Sequence, residues 1–308
     1  MSELWLPKPH LSISQIKSME FCERKYYFQS VEGVKSDGIA PVFGGIAHAA
    51  LEFNYANKIT TGHDLPVSVV QKHFRDNFLI KQKEVTDWEG RNPADVLKLG
   101  EAFVAFHMLH MALTIPQPTA VEQSFETIIN GVKLVGFADL LTDSTVYDHK
   151  FSMTPGKQKL NVDTDMQLSL YAKVFNKEKV GFNLHWLGDN GKPAGTTVTS
   201  IRGLDDFKKL DEAVTACATK IDANKNKGDF PKTAFACKGK KSGWVCEFYD
   251  LCWSGHKVPN KATDERVWNT LNGFEKRRPA DVDNADKDKV FDDLLKIETT
   301  YETVELPF

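Results

Sequence analysis

The chain lacks a surplus of positive charge, a run of 18 apolar residues, and an even set of cysteines. Each absence excludes something. Without a long apolar run, no segment reads as a membrane-spanning helix. The opening residues, MSELWLPKPHLSIS, lack the basic start and apolar stretch of a signal peptide, so the expected location is the cytoplasm. Five cysteines (Cys22, Cys217, Cys237, Cys246 and Cys252) are an odd number and argue against a disulfide framework. There is no internal repeat, no long low-complexity tract and no phosphate-binding loop of the G-x-x-x-x-G-K-[ST] type.

The net charge of −3 is unevenly spread. Residues 279–308 hold nine acidic side chains and three lysines, a net of −6, so the other 278 residues carry +3. A mildly basic body with an acidic tail permits nucleic-acid binding without arguing for it. The hydrophobic fraction of 41% is enough for a packed core.

The first part of the chain reads as helical. Residues 11–31 (LSISQIKSMEFCERKYYFQSV) give one helix, with Ser12 or Ser14 as N-cap. Gly44-Gly45 precedes a second, over residues 46–59, and two more fall near 66–83 and 93–114. The texture changes at Thr119. Residues 119–129, 131–142 and 145–151 read as antiparallel strands, joined by tight turns at Asn130-Gly131 and Asp143-Ser144. Residues 163–177 return to helix, 180–187 and 195–201 form a strand pair, and 204–226 are helical again. This order gives an α/β or α+β domain with a central sheet.

The strongest local feature is GFADLLTDSTVYDHKF, residues 136–151. Asp148 and Lys150 lie two apart on a strand and so point to one side of the sheet, with Asp139 on the strand before. Two carboxylates gathered across a hairpin make a hard oxygen site suited to Mg²⁺ or Mn²⁺. A lysine beside them can orient an attacking water and stabilise charge on a phosphate. A surface hairpin carrying a cross-strand charge pair has the same residue pattern.

Context separates the two. Gln167 and Tyr171 lie four apart on a helix face, and His48 follows Gly44 by four residues, with Glu52 and Tyr55 on its own face. This G-x-x-x-H, D, D-x-K, Q-x-x-x-Y order resembles the RecB-type branch of the PD-(D/E)XK nuclease superfamily. The resemblance spans roughly residues 11–255. It implies a restriction-endonuclease-like α/β core, a central mixed sheet flanked by helices. It also implies metal ligation by His48, Asp139 and Asp148, helped by the His149 carbonyl. Lys150 would position the nucleophilic water, and Gln167 and Tyr171 would contact DNA or support the site. Glu122, on the preceding strand, matches an acidic position often seen in the family.

The cysteines point to a sub-branch. Cys22 lies in S-x-S…C-x-R-x-Y-x-F, and Cys237, Cys246 and Cys252 follow the core. This is similar to the iron–sulfur nucleases of AddAB-type subunits and CRISPR adaptation, and implies a [4Fe–4S] cluster joining the chain ends. The relatives space their late cysteines as C-x2-C-x5-C, whereas eight residues separate Cys237 from Cys246. Four thiolates also suit Zn²⁺. Cys217 shares an apolar stripe with Leu210, Val214 and Ile221 and reads as a core residue.

The resulting division is 1–118, mainly helical with Cys22 and His48; 119–232, the nuclease core; 233–257, the cysteine segment; and 258–308, the acidic tail. Arg24, Lys25, Lys240 and Lys241 flank the expected cluster among aromatics and are candidate DNA contacts. Ordinary packing and a solvated loop would look the same. The cluster-bearing relatives imply an exonuclease on single-stranded DNA. An endonuclease or duplex-end nuclease of the same fold, and a non-catalytic DNA-binding module of a recombination or replication complex, are the alternatives. A helicase or recombination partner is expected to supply any unwinding. The tip Glu305–Phe308 resembles the acidic Pro-Phe end of single-stranded DNA-binding proteins and is a candidate docking element, or else a frayed tail.

Overall fold

The computed structural model describes residues 4–35, 38–156, 160–233 and 246–253, all within one compact unit spanning Met1–His256. Its centre is a five-stranded sheet in the order β1-β2-β3-β4-β5, with β1 Ala120–Ile129, β2 Val132–Leu141, β3 Thr145–Pro155, β4 Lys179–Leu187 and β5 Pro193–Ile201. Neighbours are antiparallel except β3 and β4, which run parallel and are bridged by helix α6, Met166–Phe175. The sheet is therefore mixed, as the family resemblance implies.

Local chemistry explains several boundaries. Asn130 and Gly131 both take positive φ (49° and 81°), which a two-residue hairpin turn between β1 and β2 requires. Asp165 caps α6 by accepting hydrogen bonds from the N–H groups of Gln167 and Leu168. The expected helix over 163–177 thus begins only after this cap.

Helices cover both faces. α3 (Ile39–Thr61), α4 (Val67–Lys81) and α5 (Pro93–His110) bury Phe43, Tyr55, Phe74 and Phe103 against Leu140 and Tyr147 of the sheet. The segment Pro93–Thr114 is long and apolar enough to cross a membrane by length and composition. Its Val96, Phe103, Val104 and Met108 are buried in this core, which accounts for that hydropathy. On the other face, α6 packs Leu168, Tyr171 and Ala172 against Val146, Val180 and Phe182. A third cluster joins α1 (Ile13–Phe21) to α7 (Leu204–Lys227) through Ile16, Met19, Leu210, Val214 and Cys217. Cys217 is thus a core residue.

Two expectations about helices need correction. Residues 11–31 are not one helix. α1 ends at Phe21, Cys22 is extended (φ −163°, ψ 116°), and the chain restarts as α2 (Glu23–Tyr26) and a π-turn, Tyr27–Val31. Long-range partners impose the break: Glu23 accepts a hydrogen bond from Asn224 and pairs with Lys220 on α7, and the Arg24 N–H donates to Pro231. Nor do Gly44 and Gly45 precede their helix. They lie inside α3, which begins at Ile39 because Ile39 and Phe43 bury themselves in the core.

Candidate active site

The ladder between β2 and β3 contains only two pairs, Leu140↔Tyr147 and Leu141↔Val146. Beyond them the strands part, and the next positions are Asp139 and Asp148. The backbone N–H of His149 donates to Asp139 Oδ2 at 2.6 Å, so a side chain takes a hydrogen bond near the point where the pairing ends. On the other side, the pairs Val121↔Leu140 and Gln123↔Ala138 place Glu122 opposite Asp139. Three carboxylates, Glu122, Asp139 and Asp148, therefore form one row across β1, β2 and β3. Glu122 has φ of 42°, a strained value for a non-glycine residue and the kind retained at functional sites.

His48 reaches this row from α3. Its Nδ1 lies 3.3 Å from Asp139 Oδ2 and 3.9 Å from Glu122 Oε1. One donor atom each from His48, Glu122 and Asp139 fall within 4.8 Å of one another, a spacing that a single cation can bridge. A small pocket on this side is lined by Gly44, Gly45, His48, Glu52, Glu122 and Asp139. A Cβ at either glycine would meet nothing within 4 Å. Glycine inside a helix costs about 1 kcal/mol relative to alanine, and here it leaves bare backbone beside the ligand atoms.

The other side of the row carries Asp148, Lys150, Gln167 and Tyr171. Asp148 Oδ1 accepts from Gln167 Nε2 at 2.7 Å, and Gln167 Oε1 accepts from Lys150 Nζ at 3.2 Å. The Tyr171 hydroxyl lies 2.6 Å from Gln167 Nε2 and donates to the carbonyl of Phe137 at 2.7 Å. Asp148 Oδ2 is buried and faces Lys150 Nζ at 2.6 Å. That approach is an ion pair by distance, and the oxygen has no well-formed hydrogen bond. A buried carboxylate oxygen held by one ion pair, beside a second carboxylate, has capacity left to ligate a cation.

The electrostatics agree. Burial, then the neighbouring Asp139 charge, push the Asp148 carboxyl up to about 6, against the opposing pull of Lys150 and His48. Burial works against charge on His48, yet Asp139 and Glu122 raise it to about 10. The imidazolium and the Lys150 ammonium thus supply the positive charge that three crowded carboxylates demand. The donor set, one imidazole nitrogen and carboxylate oxygens, fits Mg²⁺ or Mn²⁺.

An open cleft of about 1130 Å³ covers this side, walled by β2, α6 and residues from the Lys8–Ser30 region. Lys25 lines it and pairs with Glu247 at 3.0 Å, while Arg24 is paired with Asp229 at 3.0 Å on the surface. Lys240, Lys241, Cys237 and the tip Glu305–Phe308 lie outside the described residues. Cys22 is buried, and Cys246 and Cys252 are half-buried.

Sequence reasoning missed what lies behind β3. His107 Nδ1 lies 2.9 Å from His185 Nε2, and His107 Nε2 lies 2.7 Å from the Tyr55 hydroxyl. His149 Nδ1 meets Asn183 Nδ2 at 3.2 Å. Burial lowers all three histidines, so they are neutral. Only an unusual number of histidines in apolar segments could have signalled this network.

A family profile described as the PD-(D/E)XK nuclease superfamily matches residues 10–253. No curated protein sequence matches the chain. Among solved structures, it is similar to a proposed exonuclease from Eubacterium rectale: 15% identity, 82% of this chain and 90% of that chain covered, TM-score 0.47. It is also similar to the protein SSO0001: 17% identity, 67% and 98% covered, TM-score 0.33. Both TM-scores fall below 0.5, so the assignment rests on the profile, which covers well over half the chain. The profile spans the fork in the sheet with its row of carboxylates and Lys150, and on that match the chain belongs to the PD-(D/E)XK nuclease superfamily.

Proposed function

We propose that this protein is a RecB-like deoxyribonuclease that uses Mg²⁺ or Mn²⁺ to hydrolyse phosphodiester bonds in single-stranded DNA from an end. The observation that carries the reading is the row Glu122–Asp139–Asp148, with His48 at one side and Lys150 at the other; His48, Asp139, Asp148 and Lys150 line one cleft, and Glu122 lines the small pocket that shares His48 and Asp139 with it. A bound divalent cation would polarise the scissile phosphate and lower the pKa of a water molecule. His48, Glu122, Asp139 and Asp148 would hold it. Lys150, fixed by Asp148 and Gln167, orients the attacking water and stabilises charge gathering on the phosphate. Gln167 holds the Asp148 carboxylate in place through its Oδ1, and Tyr171, which accepts from Gln167 Nε2 and donates to the Phe137 carbonyl, positions Gln167.

The test is degradation of single-stranded and duplex DNA labelled at either end, with each metal. Stepwise loss from one end of a single strand supports the reading. Internal cuts, or a preference for duplex ends, would select an endonuclease or duplex-end enzyme. Tight DNA binding without cleavage would select a non-catalytic module. Pull-downs with and without the tip Glu305–Phe308 address a helicase or recombination partner.

A second reading concerns Cys22, Cys237, Cys246 and Cys252 as thiolates of a structural [4Fe–4S] cluster, with Zn²⁺ as the alternative. It is favoured by the docking of the 246–253 segment beside the chain that follows Cys22. Glu247 pairs with Lys25 at 3.0 Å and accepts from Gln29 at 2.9 Å, and Phe28 packs on Phe248 with ring centroids 5.7 Å apart. Anaerobically purified protein should be brown and contain iron and sulfide. Colourless protein holding one zinc would select the alternative.

A further inference from the structure

Phe137 is an apolar side chain left 59% exposed at the mouth of the active site. Single exposed apolar residues are ordinary; the placement of this one is not. It lies two residues before Asp139 on β2, so both side chains leave the same face of the strand. Both line the same cleft, about 7 Å apart along the strand by β geometry. Among the described residues its ring meets no other ring, yet its backbone is held firmly. The Phe137 carbonyl accepts the Tyr171 hydroxyl at 2.7 Å, and that hydroxyl also touches Gln167 and Asp148. The Phe137 backbone is thus fixed in register with Asp139, and the exposed ring projects from it beside the site.

The rest of the cleft is chemically one-sided. Its acidic lining residues are Asp139 and Asp148 alone, while Lys8, Lys17 and Lys25 line it from the N-terminal side, Lys17 paired with Asp165 at 2.9 Å and Lys25 with Glu247 at 3.0 Å just outside the lining. This basic wall stands in a chain of net charge −3. Phe21, 40% exposed, also lines the cleft, with Lys25 Nζ 5.7 Å from its ring centre. Exposed aromatics beside lysines suit a strand whose bases are unpaired. Rings stack on any base face, and ammonium groups follow the phosphates. Bases paired in a duplex do not offer that face.

We infer that Phe137 stacks on the base of the nucleotide beside the scissile phosphate and selects an unpaired strand. This rests on the nuclease reading of the same cleft but is tested without cleavage. Because Phe137 is exposed and its held group is a backbone carbonyl, Phe137→Ala should melt like the wild type. The probe is a short single-stranded oligodeoxynucleotide carrying 2-aminopurine, titrated in Ca²⁺ so that binding is read apart from turnover. The wild type should quench the fluorophore at one position. Phe137→Ala should abolish that quenching and weaken single-strand binding roughly ten-fold. Phe137→Tyr should restore both, and duplex binding should not change. Equal affinity and equal quenching in wild type and Phe137→Ala would overturn the inference. So would equal losses on single-stranded and duplex DNA. If the wild type binds and quenches but never cleaves with Mg²⁺ or Mn²⁺, the nuclease reading fails while the stacking role stands.

Discussion

The two faces of strand β3 treat buried polar groups in opposite ways. On one face, the buried Asp148 pairs with Lys150 at 2.6 Å. On the other, His149 packs against His107 and against the His48 ring from α3, His107 meets His185, and burial suppresses the charge of His107, His149 and His185. Alternating residues of one D-H-K-F segment thus end in an ionic site and a neutral network. The difference separates chemistry from support. The charged face presents a paired carboxylate and ammonium to the cleft, and the neutral face fixes the strand that presents them.

Substitutions on the charged face should have the largest effects. Asp148→Asn removes a ligand and the partner of Lys150, and should lower cleavage roughly 10²–10³-fold or more in single-turnover assays, with a melting temperature no lower than wild type. Loss of folding in parallel with activity would mean that Asp148 is structural. His48→Ala should come next, weakening Mn²⁺ binding roughly ten- to a hundred-fold in calorimetry. Unchanged affinity would remove His48 from the ligand set.

The neutral face should respond in stability. His107→Leu leaves the Tyr55 hydroxyl and His185 without their partner, at a cost of about 1–3 kcal/mol in denaturant unfolding. The folded fraction should retain metal binding. A variant of full stability that had lost the metal would break the proposed division of labour.

The smallest effect is a pH slope. His48 lies near 10 without metal, so at neutral pH a cation must displace its proton; Asp148, near 6, adds a second proton in acid. Both groups bind metal only when deprotonated, so affinity should rise with pH, and binding should release protons. Calorimetry in buffers of different ionisation enthalpy measures that release. Proton uptake on binding would reverse the sign and refute the assignment.

Much of the charged face was legible because it is local. Asp148 and Lys150 share a strand, Asn130-Gly131 declares its turn, and Gln167 and Tyr171 share a helical face. What was not legible depends on distant parts of the chain. The break at Cys22 is imposed by α7. Gly44 and Gly45 lie within α3 because Ile39 and Phe43 find a core. The early end of the β2–β3 ladder and the strained Glu122 backbone have no sequence signature. The neutral network joins Tyr55, His107, His149 and His185, and no short-range pattern connects them.

The central claim is that the fork in the sheet is a metal-dependent hydrolytic centre in which Lys150 serves the reaction rather than the metal. The most direct test pairs Mn²⁺ binding with single-turnover cleavage of end-labelled single-stranded DNA, in wild type and Lys150→Ala. The account predicts that both proteins bind Mn²⁺ and only the wild type cleaves at an appreciable rate. Cleavage by Lys150→Ala at the wild-type rate would contradict it.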